Sequence, residues 1–365
     1  MNLLSKPGDL PGCFAAFERF AERRSGRTGY QLPFGPDDRL FPFAKPGGRR
    51  DFLQFHHLKT KQIARALVLL CAVIALLSCA QRQGPSAYKA NSQTREVIDE
   101  AGRKVTLPLK IERVISLAPN LTEIVYAVGG GDRLVGDTTF CDYPPQAKSV
   151  AKVGDTLQPS IERILALHPQ LVLVSTASQL EAFTGQLNEQ NIAVYVTDAR
   201  DLEGVFRSIL SVGDLLNQSV VAEALVKQLR ARAETVEHAV AGRPPVSVFF
   251  QLSGQPLYTA GKSSFVTNLI ERAGGRSVTA DVNEAWPRLS DEAALASRPE
   301  AIIMPSGGAM AAGANTQVAA ALRNSPAVRN GRVYAIDGDL LMRPGPRLVD
   351  GLEKIARALH PEAFK

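Results

Sequence analysis

Ser160-Ile161-Glu162-Arg163-Ile164-Leu165-Ala166-Leu167-His168-Pro169-Gln170-Leu171-Val172-Leu173-Val174 is the stretch that decides the fold. A serine before an apolar-periodic run caps a helix by accepting a hydrogen bond from a first-turn N–H. Glu162 in that first turn is favoured by the helix dipole. Pro169 breaks the helix, and Leu171-Val172-Leu173 reads as a strand buried on both faces. The pattern returns 130 residues later as Ser290-Asp291-Glu292, then Pro299, then Ala301-Ile302-Ile303. Two copies of one helix–strand unit imply a duplicated lobe.

The flanking sequence extends both copies. Upstream of the first, Val114–Leu117 is a short apolar strand. Asn120 with Glu123 predicts a capping box for a helix through Val128, which Gly129-Gly130-Gly131 ends. Leu134–Gly136, Leu171–Val174 and Ile192–Val196 read as further strands, and Ser160–Leu167 and Leu180–Glu189 as helices. Residues 94–200 thus form a mainly parallel α/β lobe. The region 201–242 is helical without a strand signal. Ala222, Leu225, Val226, Leu229, Ala233 and Val236 recur at spacings of three and four. One helix over about Ser219–Ala241 would be ~35 Å long, and Gly242 and Pro244-Pro245 stop it. Strands Val246–Phe250, Ala301–Met304 and Val333–Ile336, with helices Ser264–Ala273, Asp291–Ser297 and Pro346–Leu359, make a second lobe over 243–365.

The start of the chain has a different character. Lys59, Lys61 and Arg65 precede the apolar run Ala66–Leu77, which closes on Ser78-Cys79. A basic head, an apolar middle and a small residue before cysteine read as a lipoprotein signal peptide over 58–78. The apolar run is 12 residues long, whereas a bilayer span needs about 20. Cys79 is then the acylated first residue, and 79–93 a flexible tether. Residues 1–57, rich in Arg, Pro and Gly, are expected to be a disordered extension from a misassigned start codon, with Leu58 the true start. Of 42 basic and 36 acidic residues, 79–365 hold 30 of each. The basic character therefore lies in the leader, and nothing in the remainder asks for nucleic acid. Cys141 is the one cysteine left after Cys79, so no internal disulfide is expected.

Val114-Ile115-Ser116-Leu117-Ala118-Pro119-Asn120-Leu121-Thr122-Glu123, Cys141-Asp142-Tyr143-Pro144, Val153-Gly154 leading to Ser160-Ile161-Glu162, Gly261-Lys262-Ser263 and Trp286-Pro287 come in a familiar order. Over about 94–361 the chain resembles the substrate-binding lipoproteins of ABC importers for cobalamin, haem and ferric siderophores, most of all the vitamin B12-binding receptors. The resemblance implies two Rossmann-like α/β lobes joined by a single long rigid helix, with a ligand cleft between them. It implies small closure, a monomer on the periplasmic face of a membrane, and no cofactor, metal or catalytic residue. It also implies that Glu162 and Glu292 contact the permease subunits. Phe140, Tyr258, Trp286, Asp339 and Arg343 are the candidate ligand residues. Trp286 would stack on a large ring, and Asp339 and Arg343 would bond the amide rim of a corrin. Thr156 and Ser175 stand where B12 receptors tend to carry further aromatics, which leaves related corrinoids open. Asp155 stands where haem receptors usually place a tyrosine ligand, so haem is the weaker alternative to a ferric siderophore.

A hydrolase is the reading from another class. Ser149-Val150-Ala151-Lys152 fits Ser-x-x-Lys, but no Lys-Thr-Gly follows and the segment reads as a loop. Gly261-Lys262-Ser263 would need glycine at 256 for a phosphate loop, and Pro256 is there. His168, His238 and His360 are far apart in sequence and read as structural rather than metal-binding.

Overall fold

The structure is a computed structural model. It describes residues 93–176, 181–190, 192–308 and 317–365, with only the backbone at positions 181 and 182. Cys79, the leader before it and most of the tether lie outside the described residues. The described chain belongs to one compact unit. No helix in it is long and apolar enough to cross a membrane.

Two parallel four-stranded sheets organise the fold. The first contains β3 (Val114–Ser116), β4 (Leu134–Gly136), β5 (Leu171–Ser175) and β6 (Ala193–Thr197) in the order β4-β3-β5-β6. The second contains β7 (Val246–Phe250), β10 (Gly275–Ser277), β11 (Ala301–Ser306) and β12 (Val333–Asp337) in the order β10-β7-β11-β12. Taken in chain order within each lobe, the strands occupy the same places. β3 and β5 are buried along their whole length, which is why they read as unbroken apolar runs rather than alternating ones.

The repeat reaches into local detail. Ser160 caps α2 (Ile161–Ala166) by accepting from the Arg163 N–H, and Ser290 caps α7 (Asp291–Ser297) by accepting from the Ala293 N–H. Both helices end on a non-glycine residue in the left-handed region, His168 at φ 44° and Arg298 at φ 40°. Gln170 then accepts from the Arg113 N–H through its side chain, and Glu300 accepts likewise from the Ser247 N–H. Ser160 and Ser290, His168 and Arg298, and Gln170 and Glu300 are each 130 positions apart, so the duplication covers caps, turn and strand entry alike.

Between the lobes run α4 (Leu202–Leu215) and α5 (Ser219–Val240). Gly213 lets them approach closely, because a Cβ there would lie 2.3 Å from that of Ala222. α4 also packs on α1 (Pro119–Ala127) of the first lobe and on α6 (Phe265–Arg272) of the second. α5 lies along α10 (Leu348–Leu359), where Arg232 pairs with Asp350 and Glu353. One hydrophobic core runs continuously from Leu107 and Leu121 through Phe206 and Leu229 to Leu352.

Two expectations change. α1 has Pro119 in its first turn and Ala118 at the cap position, with no side-chain cap bond. Asn120 and Glu123 therefore lie inside the helix and make no capping box; both are buried and bond elsewhere. The sequence reading also lacked the antiparallel pairs β1 (Thr94–Ile98) with β2 (Lys104–Pro108) and β8 (Ser253–Gly254) with β9 (Leu257–Tyr258), as well as β10. In β1 and β2 only Val105 and Leu107 are buried hydrophobics, so the alternation is short and interrupted by charge.

Candidate functional site

In a parallel sheet the loops that follow the strands' carboxyl ends are where ligands meet the fold. Here those loops carry the candidate residues of both lobes. Phe140 stands on the crossover after β4, and Trp286 on the crossover after β10, which are matching places in the two sheets. Both are half-buried. Trp286 packs against Phe250 and Phe265, with ring centroids 6.4 and 6.0 Å away. The second contact is edge-on, the geometry aromatic pairs favour. Tyr258 on β9 is buried at 6% exposure and bridges to Arg288, two residues after Trp286. Gly261 makes room for this segment, since a Cβ there would sit 2.1 Å from the Glu284 carbonyl.

Asp339 lies on α9 (Gly338–Met342) after β12, and Arg343 caps the end of that short helix. Arg343 is only 2% exposed and reaches into the first lobe. Its Nη1 donates to Glu123 Oε1 at 3.2 Å and to Asp142 Oδ1 at 2.9 Å, and its Nη2 to the Phe140 carbonyl at 3.4 Å. Nη2 also lies 3.0 Å from Asp339 Oδ1. Arg347 clamps the same Glu123 in a bidentate pair at 2.6 and 2.9 Å, and its guanidinium lies 3.8 Å from the centre of the Tyr143 ring. Asn120 donates to the Pro344 carbonyl at 3.2 Å. Burial pushes the Asp339 carboxyl up against the pull of Arg343, with Asp142 and Asp337 adding to the rise. Gly308, at φ 74°, leaves space for this carboxylate; a Cβ there would be 2.5 Å from Asp339 Oδ1.

The structure therefore brings Phe140, Asp339 and Arg343 together and sets Tyr258 and Trp286 in a second group. Sequence reasoning missed Glu123, Asp142, Asn120 and Arg347, which tie the lobes across the cleft. The available signal was Pro119. Proline favours the first helical position, so the helix begins at Pro119 and Asn120 and Glu123 fall inside it rather than at its cap.

The crossover bearing Phe140 has its own anchor. Lys152 Nζ donates to Asp137 Oδ1 at 2.7 Å and to the carbonyls of Cys141 and Ala147 at 3.0 and 2.9 Å. The serine and lysine of the Ser-x-x-Lys sequence are thus occupied structurally, Ser149 donating to the Gln146 carbonyl. Burial lifts the Asp137 carboxyl to about 7 even beside Lys152. Cys141 is a free, buried thiol, and its sulfur lies within hydrogen-bond distance of Thr122 and Thr138.

Glu162 and Glu292 are exposed at the second position of α2 and α7, one on each lobe. The N–H of Glu292 and the Ser290 hydroxyl hold the Glu292 carboxyl below the usual carboxylate range. Neither makes a salt bridge among the described residues.

Comparison with known proteins follows this geometry. The chain is 31% identical over 308 residues, 81% of its length and 96% of the relative's, to an uncharacterised ABC transporter substrate-binding lipoprotein, YvrC, of Bacillus subtilis. The crystal structure of the periplasmic vitamin B12-binding protein BtuF of Vibrio cholerae superposes with a TM-score of 0.62 at 30% identity, covering 71% of this chain and all of that one. A periplasmic haem-binding protein, RhuT, from Roseiflexus also reaches 0.62, at 26% identity over 69% of this chain and 99% of its own. The profile of the periplasmic binding protein family matches residues 114–340, and the chain belongs to that family, whose members bind a ligand and catalyse no reaction.

Proposed function

We propose that this protein is the lipid-anchored receptor of an ABC importer. It captures cobalamin or a related corrinoid in the cleft between its lobes and delivers it to the permease. Cys79 holds it to the membrane on the periplasmic side, and it acts as a monomer without a cofactor. Its working parts are the lobes 94–200 and 243–365 and the helical region 201–242. The observation that carries the reading is the matched pair Glu162 and Glu292. The duplication puts one exposed carboxylate at the same place on each lobe, as a receptor seated across a two-sided entrance requires. The similarity to an ABC transporter substrate-binding lipoprotein supports the transporter, and that to a vitamin B12-binding protein supports the ligand class.

Phe140 and Trp286 stand half-buried on matching crossovers of opposite lobes, and Asp339 and Arg343, paired with each other here, would part to give an acceptor and a donor for amide groups. A ferric siderophore is the alternative ligand, ahead of haem. At the position after Val153-Gly154, Asp155 spends one carboxylate oxygen on the N–H groups of Leu157 and Gln158 in a local turn.

The full-length protein titrated with cyanocobalamin, haemin and ferric desferrioxamine decides among these. Corrin bands that co-elute with the protein and a one-to-one calorimetric isotherm are expected. Binding of haemin or the siderophore without any corrinoid would overturn the ligand. Delivery is tested separately. Glu162→Ala with Glu292→Ala should reduce uptake of labelled cyanocobalamin by about tenfold or more while its affinity for the receptor is unchanged. Undiminished uptake would remove both residues from the docking surface.

A further inference from the structure

The face of the second lobe that carries Glu292 offers more than one carboxylate. Glu292 and Leu295 lie three residues apart on α7, and Arg298 follows just past its C-terminal end in the left-handed region. All are exposed, Leu295 to 59%, which is high for a leucine. Beside Leu295 and Arg298 opens a groove of about 350 Å³, whose other wall carries Arg329 of α8 (Pro326–Arg329). Its floor includes the buried Ala294 and Leu322. Arg329 is exposed, and its guanidinium donates to the Asn324 carbonyl at 3.1 Å. Among the described residues no carboxylate lies within salt-bridge distance of Arg298 or Arg329. The surface thus runs from negative Glu292 through apolar Leu295 to positive Arg298, from the first turn of α7 to the residue just past its end.

The first lobe does not repeat this. The matching residues are Glu162, Leu165 and His168, but Leu165 is half-buried against the core of its own lobe. There the crossover from β5 to β6 is α3 (Glu181–Glu189) rather than the short turn 320–322 followed by α8. Among the described residues the duplication therefore keeps the glutamate on both lobes, while the exposed leucine beside two arginines belongs to the second.

We propose that this groove is a second permease contact. It takes an acidic side chain, carried on an apolar-faced segment of the permease, against Arg298, Arg329 and Leu295, while Glu292 takes a basic one. The inference rests on the delivery role proposed above. Charge complementarity selects the occupant. A surface ordered negative, apolar, positive is matched by a segment ordered positive, apolar, negative, and it repels a segment of the opposite order. Leu295 is the anchor that excludes water from these charges. Because the groove belongs to the second lobe, the two ends of the receptor are not interchangeable on the transporter.

The test is photo-cross-linking from p-benzoylphenylalanine placed at position 295, 329 or 162 of the full-length receptor in its own membrane. Products are identified by mass spectrometry. Positions 295 and 329 are expected to capture a permease segment containing Asp or Glu, and position 162 a permease segment elsewhere. Arg298→Glu with Arg329→Glu should lower the yield at 295 by about tenfold or more without moving the thermal midpoint. Capture from 162 but not from 295 or 329 would overturn the groove contact and leave the delivery role standing. Capture from none of the three would overturn both. Capture at 295 of a phospholipid or a second copy of this chain would also overturn it.

Discussion

Replacing Glu123 by alanine is expected to lower the unfolding free energy by about 3–5 kcal/mol, the usual cost of removing one partner from a buried ion pair. Glu123 is 3% exposed and, among the described residues, is the one carboxylate bonded to Arg347. It also takes one donor of Arg343, which is 2% exposed. Without it, Arg347 keeps only the face of Tyr143, and Arg343 keeps Asp142 and Asp339. The loss falls on the seam between lobes, because Glu123 belongs to one and both arginines to the other. Urea unfolding measures it as a lower midpoint. Adding Arg347→Met should recover part of the loss, since an apolar pair costs less than a stranded buried charge. An unchanged midpoint in the Glu123 variant would remove this seam from the account of stability.

Lys152→Met should cost about 3 kcal/mol or more, and the cost should grow with pH. Methionine keeps the length of the side chain and removes all three donors. Two carbonyls and the fully buried Asp137 carboxylate then lose their partner. In the native protein burial already raises that carboxyl from 3.8 to about 7. Between those values the unfolded chain has released the proton while the folded chain keeps it, so stability falls as pH rises through the window and levels beyond it. Without the ammonium the carboxyl moves higher still, and the fall continues past 7. Urea midpoints at pH 5 and pH 8 should therefore separate wild type and variant more widely at pH 8. An equal separation at both would show that Asp137 does not carry the effect. Phe140 sits on the anchored crossover, so the variant should also lose ligand affinity.

Much of the fold was legible in the sequence because it comes from apolar runs and helix punctuation. The Ser-Glu-Pro pattern located α2, α7, β5 and β11, and the three-and-four spacing located α5 almost to its ends. What stayed hidden were elements held by backbone pairing alone. β10 is Gly275-Arg276-Ser277, an edge strand with no apolar residue, and it exists because β7 offers it a parallel partner. β8 and β9 are two residues each, too short for any periodicity to show.

The candidate residues could be picked out in the sequence, but not their pairing. Phe140, Trp286, Asp339 and Arg343 could be named from their places in a familiar order. No local pattern says that Arg343 reaches Glu123, 220 positions away. Asn120 and Glu123 have the spacing of a capping box, and that local explanation hid their use across the cleft. Glu162 and Glu292 were visible because a repeat compares one half of the chain with the other. The groove beside Leu295 was not visible, because its walls come from segments about 30 residues apart, α7 and α8.

The paired helices between the lobes set a mechanical limit. α5 has 22 residues, ~33 Å of rod, braced by α4 along one side and by α10 along another. A bend of ~5° spread over that length shifts its far end by only ~1.5 Å. The separation of Glu162 and Glu292 is then close to a fixed gauge length. Under the proposed docking role, a transporter that touches both would have to read cargo from a change of an ångström or two.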